Sequence, residues 1–140
     1  MNILLGLDVG EKTIGVAVCD GMGMIASPVT TIARRKFADD MADLNKIIKQ
    51  YQAVGLVIGL PINMDGSAGK RAQSVRSFAF NANKATGLKV HFWDERMSSI
   101  VAEKMMLSMD LSRQKRGERI DKLAATYILQ GFLDAKPNIT

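Results

Sequence analysis

The stretch Ile3-Leu4-Leu5-Gly6-Leu7-Asp8-Val9-Gly10 organises the chain. A short apolar run that ends at a turn signal predicts a strand buried on both faces. Asp8 stands at the carboxyl end of this strand, where open sheets present their chemistry. Gly10 lets the chain turn there without a side chain, and a second strand follows from Thr13. Since Asp-x-Gly is also a common turn, a function for Asp8 depends on which other residues converge on it.

Composition bounds the class of protein. The 140 residues suffice for one domain, 1–140, with a real core, and 47% hydrophobic and 24% charged residues are ordinary for a soluble protein. We see no run long enough to span a bilayer and no secretory signal, so we expect no membrane partner. The single Cys19 excludes an internal disulfide and fits a reducing cytoplasm. A net charge of +5 is compatible with a nucleic-acid partner.

The spacing of apolar residues predicts the remaining elements. A third strand, roughly Met24 to Ile32, contains Pro28 and should therefore lie at a sheet edge. Further strands are expected at 54–61 and 88–93, and helices at 37–51, 68–86, from Ser98 or Ser99 to about 109, and from about 120. The basic segment 111–117 is expected to be a loop, and Phe78 and Phe80 of the second helix are expected in the core rather than stacked on nucleic-acid bases. This order is that of the ribonuclease H-like α/β fold, with a five-stranded mixed sheet in the order 3-2-1-4-5 and flanking helices.

Four blocks of the sequence resemble one known family. They are LDVGEKTIGVAVCD, VIGLPINMDGSAGKRAQ, FWDERMSS and IDKLAATYILQGFL, in order and with ordinary spacing over nearly the whole chain. They look like the motif blocks of the YqgF family, also called RuvX, whose members are described as Holliday junction resolvases or pre-16S rRNA nucleases. Two positions depart from the family's usual pattern: Thr13 stands where arginine is frequent, and Cys19 where serine is frequent. The first departure weakens any phosphate contact from position 13.

The resemblance implies a metal-dependent phosphodiesterase whose acidic residues map onto Asp8, Glu95 and Asp121. Two divalent ions can activate a water and neutralise the leaving oxygen, and carboxylates suit Mg²⁺ or Mn²⁺. We expect Asp8 to bridge the ions, with Glu95 and Asp121 as outer ligands. Asp94 is the alternative to Glu95, because a slip of one residue in a strand turns a side chain to the other face. With one His and one Cys, a dedicated zinc site is not expected.

Each acidic residue also has a simpler explanation. Glu95 would suit a surface pair with Arg96, and Asp121 would suit the dipole of a helix N-terminus. Basic residues near these positions are candidates for phosphate contacts, although a charge run is usually a solvated face. The candidates are Lys12, Lys70, Arg71, Arg96, Arg113, Lys115, Arg116 and Arg119.

Three functions remain open from the sequence. The first is a nuclease acting on structured RNA. The resemblance favours this function, because it implies a role in trimming the 5′ end of pre-16S rRNA in precursors of the ribosomal subunit. Its DNA form would cut four-way junctions, and symmetric cutting favours a homodimer over a monomer. The second is an ATP-handling domain, since actin-like ATPases begin similarly, but they carry two such halves and this chain has no repeat. The third is a non-catalytic module that binds nucleic acid or the ribosome, against which clustered carboxylates argue.

Overall fold

The computed structural model describes residues 2–62, 69–94 and 113–135, with side chains described from 123 onward in the last segment. The expected helix at 98–109 lies outside the described residues. The elements are β1 Leu4–Val9, β2 Thr13–Cys19, β3 Ala26–Ala33, α1 Phe37–Tyr51, β4 Gly55–Leu60, α2 Lys70–Thr86, β5 Lys89–Asp94 and α3 Arg113–Asp134.

The five strands form one mixed sheet in the order β3-β2-β1-β4-β5, as predicted. β2 is antiparallel to both β1 and β3, whereas β4 is parallel to both β1 and β5. Pro28 lies on the edge strand β3, next to a bulge in its pairing with β2. An edge strand accommodates proline because its outer N–H groups have no ladder partner to lose. β1 is the central strand, so the fold sets Asp8 at the middle of the sheet's carboxyl edge.

Both faces of the central strand β1 are buried, which explains its unbroken apolar run. Leu5, Leu7 and Val9 belong to the core between the sheet and the helices α1 and α2. Leu4 belongs to the core on the other face, together with the α3 residues Ala125, Ile128 and Leu129. Alternation along β1 therefore puts Asp8 on the face that α3 covers.

The helices α1 and α2 bury most of the residues that were expected in the core, and Phe37, 37% exposed, and Phe80 are exceptions. Met41 and Leu44 of α1 and Val75 and Ala79 of α2 are buried. Phe80 was expected in the core, and that expectation is wrong: its side chain is 60% exposed, with the Lys84 ammonium 4.5 Å from the ring centroid. Phe80 follows Ala79 by 100° around the helix, which turns it out of the buried stripe.

The last helix begins earlier than predicted. α3 starts at Arg113, so the prediction of a loop through 117 is wrong from that residue onward. Arg, Gln and Lys are good helix formers, and one interior glycine costs only about 1 kcal/mol. Ala124 and Ala125 are fully buried, as their small size predicts for a helix that approaches the sheet closely.

Candidate active site

Asp8 lies at the centre of the sheet's carboxyl edge, near the end of the central strand β1. It pairs with Gly15 of β2, and its side chain is partly buried. The connection that follows it is held from two sides. Gly10 N–H donates to the carbonyl of Thr13 at 2.8 Å, and Arg34 N–H donates to the carbonyl of Lys12 at 2.8 Å. These bonds fix the backbone on which Asp8 sits.

The helix α3 crosses β1 at very close range. A Cβ built on Gly6 would lie 2.7 Å from Leu129 Cβ and 2.8 Å from the carbonyl oxygen of Ala125. Only a glycine at this position allows that approach. The direction of α3 follows from Gln130, whose side-chain oxygen accepts from Ala26 N–H at 2.9 Å. Ala26 pairs with the end of β2 that lies beside the start of β1, so α3 runs opposite to β1.

This packing brings the first half of α3 towards the level of Asp8. Asp8 follows Gly6 by two residues, about 6.6 Å along a strand. Position 121 precedes Ala125 by four residues, about 6 Å along a helix and on the same helix face. The backbone of Asp121 therefore advances from the Gly6 contact in the same direction, and by about the same distance, as Asp8. The Asp121 side chain lies outside the described residues.

Asp94, the alternative to Glu95, is directed away from the face of Asp8. It pairs with Leu60, and Leu60 belongs to the core under α1 and α2. Paired residues of neighbouring strands share a face, so Asp94 lies on the face opposite to Asp8. Trp93, one residue earlier, packs against Phe132 of α3 with ring centroids 6.3 Å apart. Glu95 and Arg96 lie outside the described residues.

A cleft of about 200 Å³ opens beside this edge of the sheet. Its polar lining comprises Gly10, Glu11, Arg34, Lys70, Arg71 and Ser74, and its apolar floor is made by valines of β1 and α2. Arg71 donates from Nη2 to the carbonyl of Val9 at 3.3 Å. Lys70 and Arg71, both predicted as phosphate contacts, thus line the same cleft. Lys12, also predicted, is exposed on the adjoining turn.

Arg34 is a component of this edge that the sequence did not single out. Its Nη1 donates to the carbonyl of Gly10 at 2.7 Å, and its Nε lies 3.7 Å from Oδ2 of Asp40. Asp40 is only 1% exposed, and its Oδ1 accepts from Arg35 N–H at 2.9 Å. The guanidinium also lies 5.4 Å from the ring centroid of Phe78. A buried carboxylate and an aromatic face thus fix the arginine that holds the turn after Asp8.

Of the three predicted metal ligands, Asp8 is the one whose side chain the structure describes. Among the side chains that the structure describes, no three His, Cys, Asp or Glu residues come together as a metal site. That description omits Glu95 and the side chain of Asp121. The described donor fits a hard cation, because Asp8 supplies carboxylate oxygens at a partly buried rim. The remaining predicted contacts, Arg113, Lys115, Arg116 and Arg119, have backbone positions in the first two turns of α3.

Comparison with known proteins identifies the family. The model of the family described as "RuvX: Holliday junction resolvase" matches residues 2–135. The chain belongs to the RuvX family. A Rhodobacter capsulatus relative named "Putative pre-16S rRNA nuclease" is 56% identical to this RuvX chain over 134 residues, or 96% of the chain and 84% of the relative. A relative of the same name from Ruegeria pomeroyi is 52% identical over 99% of the chain and 90% of its own length.

Solved structures share the fold of this RuvX chain at low identity. The RuvC of T. thermophilus, determined in complex with a Holliday junction substrate, aligns with a TM-score of 0.60 and 14% identity, over 97% of this chain and 96% of RuvC. The fowlpox virus resolvase bound to Holliday junction DNA aligns with a TM-score of 0.54 and 10% identity, over 97% and 99% of the two chains. These likenesses establish the ribonuclease H-like fold. None of the described helices is both long enough and apolar enough to cross a membrane.

Proposed function

We propose that this RuvX protein is a nuclease that hydrolyses phosphodiester bonds with the help of divalent metal ions. The observation that carries the proposal is the position of Asp8. It ends the central strand, on the face covered by α3, and the Gly6 contact draws α3 against that strand. The donors we assign are Asp8, Glu95 and Asp121. Their oxygen chemistry suits Mg²⁺ or Mn²⁺, which when bound would activate the attacking water and neutralise the leaving oxygen.

The roles of this chain's own residues follow from their positions. Asp8 would hold the ions from the rigid centre of the sheet, which protects their spacing from loop motion. Lys12, Lys70 and Arg71 would bind backbone phosphates at the same end of the sheet, and we assign the same role to Arg96, Arg113, Lys115, Arg116 and Arg119. Phosphate contacts position a nucleic acid without reading its sequence, which suits an enzyme that recognises the shape of its substrate.

We propose the 5′ end of pre-16S rRNA as the substrate, within precursors of the ribosomal subunit in the cytoplasm. The support is the name shared by relatives that are 52% and 56% identical over nearly all of the chain. A Holliday junction is the second candidate. It is favoured by the description of the matching family and would require two active sites, as in a homodimer.

The test is Mg²⁺-dependent cleavage of two labelled substrates, an RNA carrying the pre-16S 5′ extension and a four-way DNA junction. Asp8→Asn removes one charge with little change of shape, and Asp94→Asn makes the same change on the opposite face of the sheet. We expect one substrate to be cut by the wild type and by Asp94→Asn, and not by Asp8→Asn. Cleavage that survives Asp8→Asn refutes the assigned site. Metal-dependent binding of both substrates without cleavage by any form makes the protein a binding module.

A further inference from the structure

The cationic cleft lies at the same end of the sheet as Asp8 but on the other face. Its floor is formed by Val9 and Val75, both part of the core under α1 and α2. Asp8 belongs to the α3 face of the same strand. The turn at Gly10 separates the two places, so a chain that passes over this turn would reach both.

The described lining of the cleft carries more positive than negative charge, with the basic residues Arg34, Lys70 and Arg71 and the acidic residue Glu11. Lys70 and Arg71 are the first two residues of α2, whose N-cap, Gly69, provides no side-chain hydrogen bond to the first turn. The positive end of the α2 dipole therefore adds to their charges. Of the three basic side chains in the lining, only Arg34 has a carboxylate within 4 Å in the described part of the chain. Glu11, the one acid among the described residues of the lining, is exposed.

An ordinary solvated charge run does not explain this arrangement. Arg71 turns its guanidinium to the carbonyl of Val9 at the floor of the cleft, and the side chain of Arg34 is only 27% exposed. Both arginines use one nitrogen for a backbone carbonyl, and each guanidinium carries five N–H donors. Fixed donors around a small concavity with excess positive charge match a phosphate group.

We propose that this cleft is a second phosphate subsite, which binds a backbone phosphodiester of the same nucleic-acid strand that is cut at Asp8. Arg34 forms its rigid wall, and Lys70 and Arg71 donate to the phosphate oxygens. The identity of the ligand, a nucleic-acid strand, rests on the proposed nuclease function. Binding of a phosphate in the cleft can nevertheless be measured without cleavage. Holding the strand at a second phosphate would set the register of the scissile bond against Asp8.

Two serines of α2 provide a matched pair of variants. Ser74 lines the cleft, while Ser77, three residues later, does not, and both are exposed. Ser74→Asp places a negative charge among the three basic residues, and Ser77→Asp makes the same substitution outside the cleft. An acid in the first half of a helix does not oppose its dipole, so both variants should fold. Their melting temperatures check this before binding is measured.

Binding of a fluorescent single-stranded RNA is followed by anisotropy in EDTA, where no cleavage occurs, over a series of salt concentrations. We expect Ser74→Asp to bind about tenfold more weakly, the loss of one charge-assisted bond. The slope of log K against log salt should also become shallower by about 0.7, the value for one phosphate of a single strand. Ser77→Asp should match the wild type in both. RNAs with and without a 5′-phosphate should respond equally, because the subsite binds a backbone diester.

Equal affinities for Ser74→Asp and Ser77→Asp overturn the subsite, as does an effect confined to the 5′-phosphorylated RNA. The subsite and the nuclease proposal fail separately. If Asp8→Asn abolishes cleavage while Ser74→Asp binds normally, only the subsite is wrong. If Ser74→Asp weakens binding but the wild type cuts no substrate, the subsite stands without the nuclease.

Discussion

Gly6→Ala tests whether the close approach of α3 to β1 is essential. The added methyl carbon would lie 2.7 Å from Leu129 Cβ and 2.8 Å from the carbonyl oxygen of Ala125. Carbon atoms pack best at about 3.5–4.0 Å, so α3 must move out by about 1 Å. Neither atom is the end of a flexible side chain, which leaves no cheaper way to relieve the clash. We expect a loss of about 1–3 kcal/mol in the free energy of unfolding, the usual cost of overpacking.

Gly55→Ala is the matched control in the neighbouring strand. Its methyl group would lie 2.8 Å from Cδ2 of Leu4, a side-chain end that can rotate away. Urea unfolding of both variants should therefore show a clearly smaller loss for Gly55→Ala. On the proposed function, Gly6→Ala should also slow cleavage by about 100-fold, because α3 carries Asp121 and an ångström of displacement has about that effect. A Gly6→Ala protein as stable as the wild type, or no less stable than Gly55→Ala, refutes the reasoning.

Two further predictions concern charge. Asp40→Asn should lower the free energy of unfolding by about 2 kcal/mol, less than for a fully buried pair because Arg34 is 27% exposed. Asp43→Asn is the control: it removes the exposed pair with Arg35 and should cost less than about 1 kcal/mol. Equal losses of the two variants in urea unfolding would contradict the greater stabilisation assigned to the buried Asp40. Burial, and secondarily the charge of Lys89, lowers the pKa of His91 below its usual 6.5. The unfolded chain then binds a proton that the folded chain does not, so stability falls as the pH drops below about 6.5. His91→Gln should lose less stability than the wild type between about pH 7.5 and about pH 5.5, and equal losses in urea unfolding would exclude the role of His91.

The sheet order could be predicted because the order of strands and helices along the chain matches that of a known fold, and local signals in two strands agree with it. The unbroken apolar run of β1 indicates burial on both faces, and Pro28 indicates an edge. The start of α3 was missed because Arg, Gln and Lys suit both a solvated loop and a helix. Phe80 was misplaced because its residue type was weighed above its position on the helix.

The remaining features depend on contacts between distant residues. Arg34 lies within a visible basic segment, but its acceptor, the carbonyl of Gly10, is 24 positions earlier. The face on which Asp94 lies depends on one residue of register in β5, which spacing alone does not provide. The structure gives that register through the pairing of Asp94 with Leu60, and Glu95 stays a prediction. Asp121 remains a prediction for its side chain and gains only a backbone position.

The proposed metal site at Asp8 and Asp121 can be tested without any nucleic-acid substrate. Mn²⁺ binding to the nucleic-acid-free protein, followed by electron paramagnetic resonance, would compare the wild type with Asp8→Asn, Asp121→Asn and Asp94→Asn. We expect Asp8→Asn and Asp121→Asn each to weaken Mn²⁺ binding by tenfold or more, since each loses a carboxylate ligand, about 1.4 kcal/mol or more. Asp94→Asn, on the opposite face of the sheet, should bind as the wild type does. Unchanged Mn²⁺ affinity in Asp8→Asn, or a loss confined to Asp94→Asn, would contradict the metal site at the end of β1.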